Sequence, residues 1–282
     1  MIDLEILRAD ARRLEALPQS SARLASLLST EDWDIDEVCG VVRFDEALTG
    51  RLLGVANSSR SGSRSEVTTV EAAVMRLGTG TVLGLALGAA VRRDFQVALP
   101  SYGLEEGALW RHSVAAALAV EEAVRVSPRR MPVEGFAAAL LHDVGKLVLS
   151  RHLTGEVVGL LRATSGSDAF DAATEEVVLG IDHGELGAEI ARAWGLPERM
   201  AEGIEHHERP HNASTDEGRL LALVIGMADA AAVRAGAPCG GPEQDPEFTP
   251  EHAGALGLGA DVFGSLCDTV AQRLADVLTR YE

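Results

Sequence analysis

Four short stretches, far apart in the chain, place histidines beside acids: His112 in LWRHS, His142 and Asp143 in LLHDVGK, His183 in IDHGELG, and His206 and His207 in IEHHERP. With Asp229 in GMADAAA the set reads H, HD, H, HH, D. Imidazole nitrogen and carboxylate oxygen together suit Fe, Mn, Zn or Ni, and a carboxylate can bridge two ions whose shared water loses a proton near neutral pH. The set therefore predicts one or two divalent metal ions, with Fe or Mn favoured and Zn or Ni also compatible.

The doublet His142-Asp143 follows the apolar run Phe136-Ala137-Ala138-Ala139-Leu140-Leu141, so a strongly polar pair is delivered from a buried helix. Burying it without partners costs several kcal/mol, a cost that a metal or a hydrogen-bonded core pair would each offset. Lys146 lies four residues after His142 and three after Asp143. On a continuing helix it shares their face, where it could neutralise a carboxylate, meet a substrate phosphate or simply lie at the surface. Lys146 and Asp143 are the residues expected to take part in any catalysis. His206 and His207 stand about 100° apart around a helix and cannot both point the same way. His152, His211 and His252 fall outside the pattern and read as surface or loop residues, and Gly145 reads as a point of close helix packing or a bend.

The chain has 282 residues, 46% of them apolar, enough to bury one large core or two modest ones. Its formal charge of −18 comes from 43 acids against 25 bases, which disfavours nucleic acid as a partner because phosphate binding needs clustered Lys and Arg. Residues 1–100 carry 11 bases and 14 acids, so the acidity is concentrated on the histidine-bearing half. Cys39, Cys239 and Cys267 are odd in number and widely spaced, which suggests neither a disulfide framework nor a thiolate zinc site and fits a reducing cytosol. The N-terminus carries charges where a signal peptide would be apolar. The longest apolar run, residues 82–91, is too short to span a bilayer, so no membrane segment is expected.

Apolar residues recur at three- and four-residue spacing almost throughout, and the alternation typical of strands is absent, which predicts an all-α fold. Short amphipathic helices are expected from Leu4 to Leu14, around Leu24–Leu28, from Ile35 to about Phe44, from Glu46 to Ala56, and over 70–77 and 79–93. The serine-rich stretch 57–69 reads as a loop, and Pro100-Ser101-Tyr102-Gly103 as the boundary between two helical subdomains, 1–100 and 101–282. A long helix should run from about Glu105 to Val126, and one after Asp182 should bury Leu186, Ile190 and Trp194. The Pro/Gly-rich segment 235–250 reads as a surface loop before a last helix near 260–280.

LLHDVGK resembles the signature of the HD superfamily of metal-dependent phosphohydrolases. LTGRLLGVANSS at 48–59, VTTVEAAVMRLGTGTVLGLAL at 67–87 and DHGELGAEIARAWGLPERMAEGIEHHERP at 182–210 are more specific and resemble the HDOD family of bacterial signal-output domains. The resemblance covers roughly residues 14–235. It implies an HD-like helical bundle for the second half. It also implies an output role exerted through a regulatory protein partner, because many HDOD domains lack parts of the metal set and are thought to act by interaction. Here His112, His142, Asp143, His183, His206, His207 and Asp229 match the binuclear set of the related HD-GYP phosphodiesterases. After HHERP the chain reads HNAS instead of a GYP loop, a departure that counts against cyclic di-GMP hydrolysis. A second departure is Ser59-Arg60-Ser61-Gly62, where the family has aromatic residues.

Three functions share this reading. One is a regulatory output module with a retained metal site; another is a metal-dependent phosphohydrolase or phosphodiesterase acting on a nucleotide or cyclic dinucleotide. The third is a sensor that binds a nucleotide second messenger without cutting it. All three require the distant imidazoles and acids to converge on one cationic centre.

Overall fold

The computed structural model describes residues 3–29, 33–57, 67–168, 170–240 and 249–281. Among the described residues all regular structure is helical. The first region holds α1 (Leu4–Ala11), α2 (Gln19–Leu28), α3 (Ile35–Arg43), α4 (Glu46–Ala56), α5 (Val70–Leu77) and α6 (Thr79–Phe95). A 3₁₀ turn at Pro100–Tyr102 leads into α7 (Ala108–Val126), α8 (Gly135–Leu141), α9 (Val144–His152), α10 (Gly155–Ser165), α11 (Ala172–Leu179), α12 (His183–Ala193) and α13 (Glu198–Glu205). Another 3₁₀ turn, Pro210–Asn212, precedes α14 (Asp216–Arg234), α15 (Pro250–Leu256) and α16 (Ala260–Tyr281). Most of the serine-rich loop, residues 31–32 of the acidic turn, and the heart of the Pro/Gly segment lie outside the described residues, as do Ser59-Arg60-Ser61-Gly62.

Short polar side chains start many of these helices. Asp34, Asp45, Thr69, Thr154, Asp171, Asp182 and Thr215 each accept a backbone N–H of the first turn, satisfying donors that have no intrahelical partner. Glu202 on α13 adds a cap from outside: it accepts from the backbone and hydroxyl groups of both Ser214 and Thr215, fixing where α14 begins.

The second region is built around α7 and α14, which pack along each other. α8 lies against both, and α13 sits between α12 and α14. Alanines line the α7 and α14 faces, among them Ala115, Ala116, Ala119, Ala228 and Ala231, all fully buried, and their small side chains allow the backbones to approach. Contacts cross the expected division at residue 100 in several places, two of them extensive. α1 rests on α9 and α12, where Arg8 bridges Glu185 and Glu189, and α6 rests on α8. At the second crossing Phe136 of α8 seats against Gly84 of α6, where any Cβ would intrude on the ring.

Among the described residues no single helix is long and apolar enough to cross a membrane. The expectation of a surface loop at 235–250 needs correction over its described start, 235–240. Ala237 and Cys239 are buried, because the segment after α14 folds back over the second region, and Pro250–Leu256 is helical. His252 is likewise not a surface residue: it is half-buried in α15 and bonded to Thr249. His152 ends α9 and pairs with Asp10 of α1 at 2.7 Å, and His211 is exposed in the second 3₁₀ turn.

Candidate metal centre

The helices deliver most of these candidate ligands at or near their ends and joints. His112 projects from the first turns of α7. His142 and Asp143 occupy the joint between α8 and α9, His142 as the C-cap of one and Asp143 as the N-cap of the next. His183 opens α12 behind its cap Asp182, His207 follows α13, and Asp229 lies on α14. Gly145 makes the joint possible: a Cβ there would collide with the His183 carbonyl oxygen, so only glycine lets the α9 backbone press against the start of α12.

Each of four imidazoles is locked at Nδ1. His112 meets the Ala237 carbonyl at 2.7 Å, His142 that of Ala139 at 2.7 Å and His207 that of Ile204 at 2.7 Å. His183 meets the Glu175 carboxylate at 2.8 Å. A carbonyl or carboxylate oxygen only accepts, so each Nδ1 carries a hydrogen and each Nε2 turns inward. The inward atoms come in pairs: His112 and His142 Nε2 stand 3.1 Å apart, His183 and His207 Nε2 3.4 Å apart. Asp143 lies between the pairs. Its Oδ2 is 3.8 Å from His112 Nε2 and 3.6 Å from His142 Nε2, and its Oδ1 is 3.4 Å from His183 Nε2. Asp229 Oδ1 is 3.1 Å from His112 Nε2, and Glu208 Oε1 is 3.5 Å from His183 Nε2.

This geometry resolves into overlapping groups whose donor atoms all lie within 4.8 Å of one another: His112, His142 and Asp229; His142, Asp143 and His207; and His183, His207 and Glu208. Donors about 2 Å from a shared ion stand roughly 3 to 4 Å apart, as the paired Nε2 atoms and the Asp143 oxygens do. Asp143 Oδ1 is buried with no hydrogen-bond partner, and an orphaned carboxylate oxygen facing imidazole lone pairs is an unfavourable arrangement that a cation would relieve. The residues present therefore fit a bound metal.

Without a metal, protons must do the same work. Burial opposes a charge on His183, yet the Glu175 carboxylate brings it up to about 9. Burial likewise opposes a charge on His112, but the hydrogen bond and charge of Asp229 raise it. Burial takes His142 down to about 4, with His207 and His112 helping and Asp143 resisting. Against the upward push of burial, His112 holds Asp229 down to about 2, and Lys146 leads the groups that keep Asp143 well below the usual carboxylate range.

Six of the seven expected ligands come together, and His206 does not. Its ring leaves the cluster at the end of α13 and pairs with Glu205 at 3.8 Å, so of the two adjacent histidines only His207 reaches the centre. Lys146 is buried and donates to Asp143 Oδ2 at 2.9 Å and to the Cys239 carbonyl at 3.3 Å. Sequence reasoning missed three contributors. Glu208 directly follows the histidine pair, a position whose acid could have suggested a ligand. Glu175, a fully buried acid in an apolar helix, accepts from the backbone N–H of His183 as well as its ring and from the Tyr102 hydroxyl. Cys239 lies within 4.8 Å of His112 and Asp143, its thiol pushed well up by burial and by the Asp143 charge. No periodicity in the Pro/Gly segment signals its return.

The profile of the HDOD domain family matches residues 14–210. Among solved structures, the chain is 25% identical to a candidate phosphohydrolase from Shewanella amazonensis SB2B, with TM-score 0.63, covering 94% of this chain and 93% of that one. It is 22% identical to an HDOD domain protein of unknown function from Geobacter sulfurreducens, with TM-score 0.65 over 99% and 96% of the two chains. A candidate signal transduction protein from Marinobacter aquaeolei VT8 superposes with TM-score 0.70 at 22% identity, covering 99% of this chain and 61% of that one. A Treponema pallidum (strain Nichols) protein is 23% identical over 224 residues, 78% of this chain, and the chain spans 42% of the length of that relative.

Proposed function

The chain belongs to the HDOD domain family, and from that premise we propose that it is a signalling output protein whose second region holds one or two divalent metal ions. The observation that carries this reading is the inward convergence of four Nδ1-locked imidazoles on Asp143, a buried carboxylate with an unpartnered oxygen. In this reading His112, His142 and Asp229 would hold one ion and His183, His207 and Glu208 the other, with Asp143 between the two groups. Nitrogen and oxygen donors of this kind favour Fe or Mn and tolerate Zn or Ni.

Bound ions would supply positive charge to a phosphoryl oxygen and lower the pKa of a water. The protein's own residues do the rest. Glu175 and the backbone carbonyls fix the imidazole tautomers, and Lys146 balances the charge of Asp143. Glu208 and Asp229, with side chains 31% and 16% exposed, stand where a ligand would enter. Lys146 is committed to Asp143 and the Cys239 carbonyl and so acts as a positioning group, which supports binding and signalling over turnover. A regulatory protein partner belongs to the same proposal. Phe44, which caps the end of α3, and Met75 on α5, 93% and 71% exposed, support a docking role for the first region.

A second reading, a metal-dependent phosphohydrolase with Asp143 and Lys146 in its machinery, is supported by the adjacent donor groups around Asp143 and by likeness to the Shewanella protein. Metal analysis followed by incubation with cyclic dinucleotides, guanosine tetraphosphate and a generic phosphodiester separates the two. Stable metal with binding but no turnover supports the signalling reading, and turnover abolished by His142→Ala and Asp143→Ala supports the hydrolase. Less than about 0.1 equivalent of Fe, Mn, Zn or Ni, with no uptake on reconstitution, overturns both.

A further inference from the structure

After α14 ends at Arg234 the chain turns at Gly236, in the left-handed region at φ 82°, and runs back toward the cluster. Two backbone carbonyls fasten it there. Ala237 accepts from His112 Nδ1 at 2.7 Å and Cys239 accepts from Lys146 Nζ at 3.3 Å, so the segment is tied to one candidate ligand and to the cation beside another. This fixes Cys239 Sγ in a group with His112 and Asp143, all buried and with donor atoms within 4.8 Å of one another. Lys146 Nζ stands 3.8 Å from the sulfur. Cys39 and Cys267 are equally buried, but neither joins such a group among the described residues. Independently of the sulfur, Asp143 keeps a buried Oδ1 without a hydrogen-bond partner, 3.4 Å from His183 Nε2, while its Oδ2 stands 3.8 Å from the inward His112 Nε2.

We propose that Cys239 is a thiolate ligand of the ion held by His112 and Asp143, so that residues 235–240 form a clasp closing one coordination position. On binding, the S–H bond breaks, the proton leaves to solvent and a sulfur–metal bond forms, with no change in oxidation state. The Lys146 ammonium remains beside the new thiolate. Sulfur moves the preference of this position toward Zn, Fe(II) and Co(II) and away from Mn. It also occupies a place that water or a phosphoryl oxygen would otherwise take, so the centre is built to hold an ion more than to turn substrate over.

This inference rests on the proposed metal occupancy, and Co(II) loading of the full chain tests the two separately. The expected result is a near-ultraviolet sulfur-to-cobalt charge-transfer band alongside visible ligand-field bands. The charge-transfer band should survive in Cys39→Ser and Cys267→Ser. It should vanish in Cys239→Ser with ligand-field bands retained and affinity at that position lower on the order of 10- to 100-fold. Should Cys239→Ser fail to fold, X-ray absorption of the Zn-loaded Cys39→Ser/Cys267→Ser double variant decides, because a sulfur scatterer at about 2.3 Å can then come only from Cys239 or a methionine, and a thiolate alone gives the charge-transfer band. Ligand-field bands without a charge-transfer band in the wild-type protein overturn the thiolate while leaving the metal centre standing. Absence of any bound Co(II) or Zn overturns both.

Discussion

The two regions use the same helical packing for opposite ends. Among the described residues before position 100, Ser21 is the one polar side chain that is buried, and it donates to the Ala86 carbonyl. Beyond that position the interior takes in His112, His142, Asp143, Lys146, Glu175, His183 and His207. The first region is stabilised by apolar burial and leaves Phe44 and Met75 in water, whereas the second gives up part of that stability to desolvate charges. So many ionisable groups in one interior support the proposed metal centre, and the exposed Phe44 and Met75 support the proposed docking role.

That contrast can be broken at its strongest point first. Asp143→Ala removes the carboxylate that lies between both pairs, so metal affinity should fall by more than about 100-fold as measured by elemental analysis after dialysis, while Phe44→Ser leaves metal content unchanged. Metal retained in Asp143→Ala would mean that the centre is placed wrongly. Glycine substitutions compare the regions directly. Gly145→Ala should cost on the order of 4 kcal/mol in denaturant titration because backbone meets backbone there, whereas Gly54→Ala, with open space around its Cβ in α4, should be neutral or stabilising by up to about 1 kcal/mol.

A pH series on metal-free protein comes next. His183 is raised to about 9 from 6.5, so the stability it contributes is fully present below pH 6.5 and is lost as pH rises through 9. The change should reach up to about 3 kcal/mol and disappear in His183→Gln. Metal uptake should release protons over the same range, because cations displace those that His112 and His183 hold. The smallest effect belongs to His206→Ala, which should leave metal content intact and shift stability by no more than about 0.5 kcal/mol.

Helical periodicity made nearly every element readable, including the buried stripe Leu186, Ile190 and Trp194 and the Asp182 cap of α12. The candidate ligands that the fold brings together stand out in the sequence where an acid or histidine interrupts an apolar run, as at Asp143 and Asp229. What escaped depends on distance in space. Adjacent His206 and His207 carry identical chemistry, and only the departure of the chain from α13 selects one of them. Glu175 and Cys239 reach the centre through turns at Gly180 and Gly236, whose course has no periodic signature in the residues around them. The division at residue 100 was drawn from a local break, which carries no information about α1 crossing back to α9 and α12.

α8 is only seven residues long, with Phe136 wedged into the Gly84 notch near one end and His142 capping the other. Two turns of helix are therefore all that lies between the face where the first region is seated and an imidazole of the candidate centre.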